Sequence, residues 1–197
     1  MALRVPAGAE TLARILRALR DAVSTIPASS EHPGPDRGAQ SDRLSRAASL
    51  KAAAISGALS VPPGAAGLLT ILPDLFLVWK IQAQLVSDLA GAYGKSVLLT
   101  REGLVHCLFR HAAAQAVRGM VVRTAEGFLV RRASAEAFDV ALRRVGRSLA
   151  ERVAGKALSR WLPVVGAVGV GAYAYFDTRR IAKSALEIFR SDVALGD

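Results

Sequence analysis

The sequence predicts an all-α fold: a single helical bundle around two Gly/Ala-rich apolar helices, with an N-terminal amphipathic helix on a flexible tether. Apolar residues recur at three- and four-residue spacing, and no stretch shows the alternation that is typical of strands. Two long apolar stretches, residues 64–94 and 161–176, each contain a proline where a helix can begin. Proline suits the first helical turn because its missing N–H would have no partner there. These two stretches are expected to form the centre of the bundle.

Length and composition limit the class of protein. With 197 residues, the chain has room for one domain with a core and an appendage. Although 52% of the residues are hydrophobic, no uninterrupted apolar run reaches the roughly 18 residues that suggest a spanning helix. Ordinary spanning helices are therefore not expected, and shallow insertion is left open. The formal net charge of +10 favours an anionic partner without choosing among lipid, nucleic acid and protein.

The chain divides into four predicted parts. They are an amphipathic helix over residues 1–27, a flexible linker over 28–42, a main helical domain over 43–191 and a polar tail over 192–197. The apolar stripe of the first helix consists of Leu12, Ile15, Leu16, Leu19 and Val23. This stripe either covers the core of the main domain or docks onto a partner protein.

The first of the two central helices has a thin polar seam. Pro73 and Asp74 open it, and the positive end of the helix dipole favours a carboxylate there. Because charges in apolar surroundings persist when they are paired, we predict a buried polar network between the two central helices. Its members are Asp74, Lys80, Gln84, Asp88 and Asp177. An ion or proton path is the functional alternative.

Glycines and alanines line one side of the last apolar helix. A glycine inside a helix costs about 0.5–1 kcal/mol relative to alanine, so several together predict a compensating close approach of two backbones. The predicted packing glycines are Gly64, Gly67, Gly166, Gly169 and Gly171. The last three also match part of a dinucleotide fingerprint, but no strand is predicted before them, so we expect no nucleotide site.

A basic face is predicted on the helix that begins near Ser134. Its members are Arg143, Arg144, Arg147, Arg152, Lys156, Arg160 and Trp161. Such a face is either solvated or bound to an anionic membrane surface, with the tryptophan as an interfacial anchor. Aromatic and amide side chains that read bases are absent among these arginines, so no sequence-specific nucleic acid is expected as a partner. Contact with phosphates alone is left open.

Residues able to hold a metal or perform catalysis are few. His106, Cys107 and His111 are close in sequence, but zinc needs three or four ligands and the remaining histidine, His32, is in the linker. We predict no metal, no cofactor and no catalytic residues. Cys107 is the only cysteine, which excludes an internal disulfide and fits a reducing compartment. The N-terminus lacks the pattern of a secretory signal, so we expect a location on the cytoplasmic side, membrane-associated or peripheral.

Two phrases of the chain are distinctive: PPGAAGLLTILPDLFLVWKIQAQLVSDLAGAYG and, later, WLPVVGAVGVGAYAYFDTRRIAKSAL. They resemble the bacterial EcsC-type family and a related helical domain that follows some bacterial GTPase modules. The matching positions are Pro73, Asp74, Gln82 or Gln84, Tyr93, Gly94, Pro163, Gly166 and Asp177, and Lys95 replaces the family's aspartate. The resemblance extends over about residues 45–190. It implies an all-helical, membrane-associated or membrane-peripheral protein of poorly defined activity, and it supplies no catalytic residues to carry over.

Two functions follow as hypotheses. The first is a non-enzymatic, membrane-associated helical protein that binds an anionic membrane surface or inserts a glycine-rich helical hairpin shallowly. The alternative is a soluble accessory or cargo module docked onto a larger protein assembly through its N-terminal helix. The expected partner is accordingly a membrane surface or a protein, and a homo-oligomer is left open.

Overall fold

The computed structural model describes the backbone of residues 7–59, 67–117, 119–125, 127–157 and 163–196, and the side chains of 12–58, 75–117, 119–125, 127–151 and 168–192. Its α-helices are α1 Ala7–Val23, α2 Arg37–Leu59, α3 Gly67–Ala92, α4 Arg101–Phe109, α5 Ala114–Val117, α6 Ala135–Ala157 and α7 Pro163–Phe189. A 3₁₀ turn, Ser96–Leu98, follows α3. Helix α7 begins at Pro163 as predicted, but α3 begins at Gly67, so the prediction that Pro73 and Asp74 open this helix is wrong. The three strands are β1 Val121–Arg123, β2 Gly127–Arg131 and β3 Asp192–Gly196.

The predicted all-α fold is confirmed, with a small sheet added to it. Strands β1 and β2 form an antiparallel hairpin, and β3 pairs with β2 in parallel, so that Phe128 lies opposite Val193. A Cβ atom at Gly127 would collide with the carbonyl oxygen of Asp192, so glycine permits this pairing. The sequence predicts an irregular segment and a polar tail at these positions. The segments VVR, GFLVR and DVALG do not alternate strictly between apolar and polar residues, so this pattern did not reveal them as strands.

Helices α2, α3 and α7 pack together as one unit. Gln82 of α3 bonds Asp177 and Thr178 of α7, and Tyr93 and Arg190, near their C-terminal ends, also meet. Helices α3 and α7 therefore run parallel. Helix α2 runs antiparallel to both. Ser41, near its start, contacts Tyr93, whereas Ala53, near its end, lies beside Gly171.

The larger core is built from α1, α3, α4, α6 and the C-terminal half of α7. Trp79 packs edge-on against Phe109, with ring centroids 5.6 Å apart. Leu89, Val145 and Ile181 are also buried in this cluster. Burying side chains of this size stabilises the fold by about 1.5–3 kcal/mol each.

The segment predicted as a flexible linker, residues 28–42, contacts the bundle instead. Asp36 caps α2, because its Oδ1 accepts a hydrogen bond from the amide of Ala39 at 2.9 Å. Helix α2 therefore begins at Arg37, six residues before the predicted start. Upstream of the cap, Ser29 Oγ donates to Asp88 of α3 at 2.8 Å. The segment was predicted to be flexible because it has few apolar residues to bury. Its contacts with the bundle are polar, so this criterion could not reveal them.

Candidate functional site

The predicted buried polar network is divided between two faces of α3. Gln82 Nε2 donates to Asp177 Oδ2 and Thr178 Oγ1, both at 3.2 Å, in the interface with α7. On another face, Gln84 Nε2 donates to Asp88 Oδ1 at 2.9 Å. The same carboxylate accepts from Ser29, which lies outside the predicted network.

The prediction is wrong for Lys80, and the side chain of Asp74 lies outside the described residues. The Lys80 side chain is exposed, and its ammonium lies 4.9 Å from the ring centroid of Phe76. A long lysine stem can cover an aromatic ring while its charge stays in water. Lys80 therefore belongs to the surface of the bundle. The α3 residue that contacts Asp177 is Gln82, where a charged residue was predicted.

Of the predicted packing glycines, Gly171 lies at a close contact between α7 and α2. A Cβ atom there would lie 3.0 Å from the carbonyl oxygen of Ala53 and 3.8 Å from the Cα atom of Gly57. The prediction is wrong for Gly169, which is exposed and would have no atom within 4 Å of a Cβ. Gly67 and Gly166 lie within α3 and α7 but outside the residues whose surroundings are described, and Gly64 lies outside the described backbone.

The predicted docking stripe on α1 is inside the protein's own core. Ile15, Leu19 and Val23 are at most 1% exposed, and Leu16 lies over Gly146 of α6. Leu12 is also near this crossing. The stripe is apolar because it covers the domain, so this surface is not available to a partner. The docking prediction for these residues is wrong.

The predicted basic face on α6 is exposed but partly neutralised. Arg143 pairs with Asp139 at 3.2 Å, and Arg20 of α1 pairs with the same carboxylate at 2.8 Å. Hydrogen bonds from these guanidinium groups, Arg20 first, lower the pKa of Asp139. Arg144 and Arg147 line an open cleft of about 300 Å³ between α5 and α6. The side chains of Arg152 and Lys156, and all of Arg160 and Trp161, lie outside the described residues.

Tyr93 joins the ends of three helices, which sequence reasoning did not predict. Its hydroxyl oxygen accepts a hydrogen bond from Arg190 Nε at 3.1 Å and lies 3.4 Å from Ser41 Oγ. The guanidinium of Arg37 lies 6.0 Å from the ring centroid. The pKa of Tyr93 is lowered, because the hydrogen bonds and positive charges outweigh the opposing effect of burial. The signal was the Ala-Tyr-Gly phrase, whose glycine has a positive φ of 69°.

His106 is buried, and its Nδ1 lies 3.3 Å from the carbonyl oxygen of Val117. His111 instead contacts Ser184 of α7 at 2.9 Å. Within the described ranges, no three His, Cys, Asp or Glu side chains are grouped as a metal site would require. Burial lowers the pKa of His106 below 6.5 and raises the pKa of Cys107 to about 12.

The free energy of unfolding is expected to decrease as the pH is lowered, because of His106. Below its ordinary pKa of 6.5, the ring takes up a proton in the unfolded chain before it does so in the folded protein. The free energy of unfolding should fall by up to about 1.4 kcal/mol per pH unit from this group alone. Urea unfolding between about pH 7.5 and about pH 5.5 measures the slope. His106→Gln should flatten it, whereas His32→Gln, at an exposed position, should not; an unchanged slope in His106→Gln would contradict this assignment.

A different surface is formed where α2 ends and α3 and α7 begin. We call it the apolar end and define it as residues 52–59, 67–79 and 163–176. Apart from Asp74, these ranges contain no charged residue. Apolar side chains are nevertheless exposed there: Val168 by 74%, Phe176 by 61%, Tyr173 by 49% and Leu77 by 41%. Exposed apolar groups in one region mark a site of interaction more often than scattered ones do.

No helix among the described residues is both long and apolar enough to cross a membrane. No curated protein and no solved structure matches the chain. The model of the EcsC protein family matches residues 39–191, which is most of the chain and includes the apolar end, the Gln82–Asp177 contact and Tyr93. The chain therefore belongs to the EcsC protein family.

Proposed function

We propose that this chain is a non-enzymatic, membrane-associated protein that inserts its apolar end shallowly into a lipid surface. The observation that supports the proposal is the exposed apolar stripe on α7. Val168, Tyr173 and Phe176 are between 49% and 74% exposed, and their spacing places them on one side of the helix. In water, the apolar surface of this stripe is in contact with solvent, and a bilayer would cover it.

The dimensions favour insertion without spanning. From Pro163 to Phe176 the helix rises by about 20 Å, and from Val168 to Phe176 by about 12 Å. The hydrocarbon core of a bilayer is about 30 Å thick. Both lengths are shorter than that core, so α7 entering along its axis would reach into the bilayer without crossing it.

An environment-sensitive fluorophore on a single introduced cysteine tests this proposal. The chain allows such labelling because Cys107 is buried and its raised pKa keeps it a thiol. Ala172→Cys places the dye on the exposed stripe of α7, and Arg147→Cys places it on α6; both positions are exposed. Phosphatidylcholine vesicles should increase and blue-shift the emission at position 172 and leave position 147 unchanged.

Two results would contradict the proposal. One is the absence of any change at position 172 in the presence of vesicles. The other is an equal change at positions 172 and 147, which would indicate adsorption of the whole protein without insertion of the apolar end. The unlabelled chain should also float with the vesicles at high salt, because apolar insertion does not depend on ionic attraction.

A further inference from the structure

The exposed faces of α2, α3 and α7 each have basic side chains at a similar height, next to the apolar end. We call this set the basic collar: Arg46, Lys51, Lys80, Arg179 and Arg180. We propose that the basic collar binds the phosphate groups of anionic lipids and stops insertion at that level. This inference rests on the function proposed above, because the collar can meet headgroups only if the apolar end enters the bilayer.

Contacts between the helices establish the height of the collar. Ala52, Val78 and Ala174 meet in one small apolar cluster and mark a common level on the three helices. Lys51 and Lys80 are one and two residues from that level, and Arg179 and Arg180 are five and six residues beyond it. At 1.5 Å per residue, these four positions fall within about 9 Å along the axis. Arg46 lies on the same side of the level as Arg180, since α2 runs antiparallel.

The chemistry of the collar suits an anionic surface. All five side chains are exposed, and among the residues that the structure describes none of them forms an ion pair. One carboxylate, Asp177, occurs in the neighbouring stretches 46–52, 78–84 and 174–181. That carboxylate accepts a hydrogen bond from Gln82 in the helix interface. The collar is thus a concentration of positive charge that borders an apolar surface.

The order of residues along α7 supports a membrane as the occupant of this surface. Its exposed side changes from Val168, Ala172 and Phe176 to Arg179, Arg180 and Lys183. Apolar groups followed by basic groups match the change from acyl chains to phosphates across the bilayer interface. On the α6 face, by contrast, Asp139 already pairs with Arg143.

Two variants with equal loss of charge separate the collar from the α6 face. The first is Lys51→Gln, Arg179→Gln and Arg180→Gln in one chain. The second is Arg143→Gln, Arg144→Gln and Arg147→Gln, all exposed as well. Flotation compares vesicles of phosphatidylcholine alone with vesicles in which phosphatidylglycerol replaces part of it. Each basic residue near an anionic surface strengthens binding about fivefold. Because the collar variant loses three of them, it should bind the mixed vesicles roughly 100-fold more weakly.

The expected pattern has three parts. The wild-type chain prefers the mixed vesicles, the collar variant loses that preference but still binds phosphatidylcholine, and the α6 variant keeps it. Equal losses in both variants would overturn the inference, because net charge alone would then explain binding. A wild-type chain that binds both vesicles equally would overturn it too, while leaving the proposed insertion intact. Failure to bind either vesicle would refute insertion itself, and the collar with it.

Discussion

Replacing Val168 and Phe176 together by glutamate should release the protein from membranes without unfolding it. These side chains are 74% and 61% exposed, so the substitutions should change the stability of the folded protein in water only a little. In the bilayer, the two substitutions remove apolar burial of about 1.5–3 kcal/mol each and introduce carboxylates into apolar surroundings. Binding to phosphatidylcholine vesicles should therefore weaken at least about 100-fold, measured by flotation over a series of lipid concentrations.

A matched variant tests whether position or charge is responsible. Val97 and Val122 are also exposed apolar residues, by 92% and 38%, and lie in the 3₁₀ turn and in β1, outside the apolar end. Val97→Glu with Val122→Glu adds the same two negative charges, and its binding should stay within about threefold of the wild type. If both double variants lose binding equally, the apolar end is not the inserted surface. Circular dichroism and urea unfolding show whether each variant remains folded.

Composition could predict that the last apolar helix approaches another backbone closely, but not which glycine is responsible. The glycines and alanines of the last apolar stretch indicated a close helix contact, and Gly171 makes one against α2. Residues two apart on a helix are rotated by about 200° about its axis, so they point in nearly opposite directions. Gly169 and Gly171 therefore cannot both face α2. Which side of α7 faces α2 depends on neighbours that are distant in the sequence, and composition does not specify it.

The polar seam of α3 shows the same limit for charged residues. Lys80, Gln84 and Asp88 recur at four-residue spacing, which correctly places them on one side of a helix. Residues 28 and 29 cover that side only at Gln84 and Asp88, through the Ala28 carbonyl and the Ser29 hydroxyl. Periodicity shows which residues share a face. What covers the face comes from a segment more than 50 residues away, with no apolar pattern of its own.

The N-terminal helix was predicted to have two alternative roles, and its burial favours the structural one. An amphipathic helix has the same stripe whether it packs on its own domain or on another protein. The distinguishing feature is the complementary surface: Gly146 leaves room for Leu16 on α6, and Arg20 meets Asp139. Both partners lie more than 100 residues downstream of α1. No local signal connects them with the N-terminal helix.

Leu19→Ala should accordingly lower the free energy of unfolding by about 2–5 kcal/mol, a large share of the stability of a domain of this size. Leu19 is fully buried in the main core, so truncation removes its contacts and leaves a cavity. Arg17→Ala, on the exposed side of the same helix, should change the value by no more than about 0.5 kcal/mol. Urea unfolding of the three chains measures both effects. If Leu19→Ala were as stable as the wild type, α1 would not be part of the core in solution, and its apolar stripe would again be free to dock onto a partner.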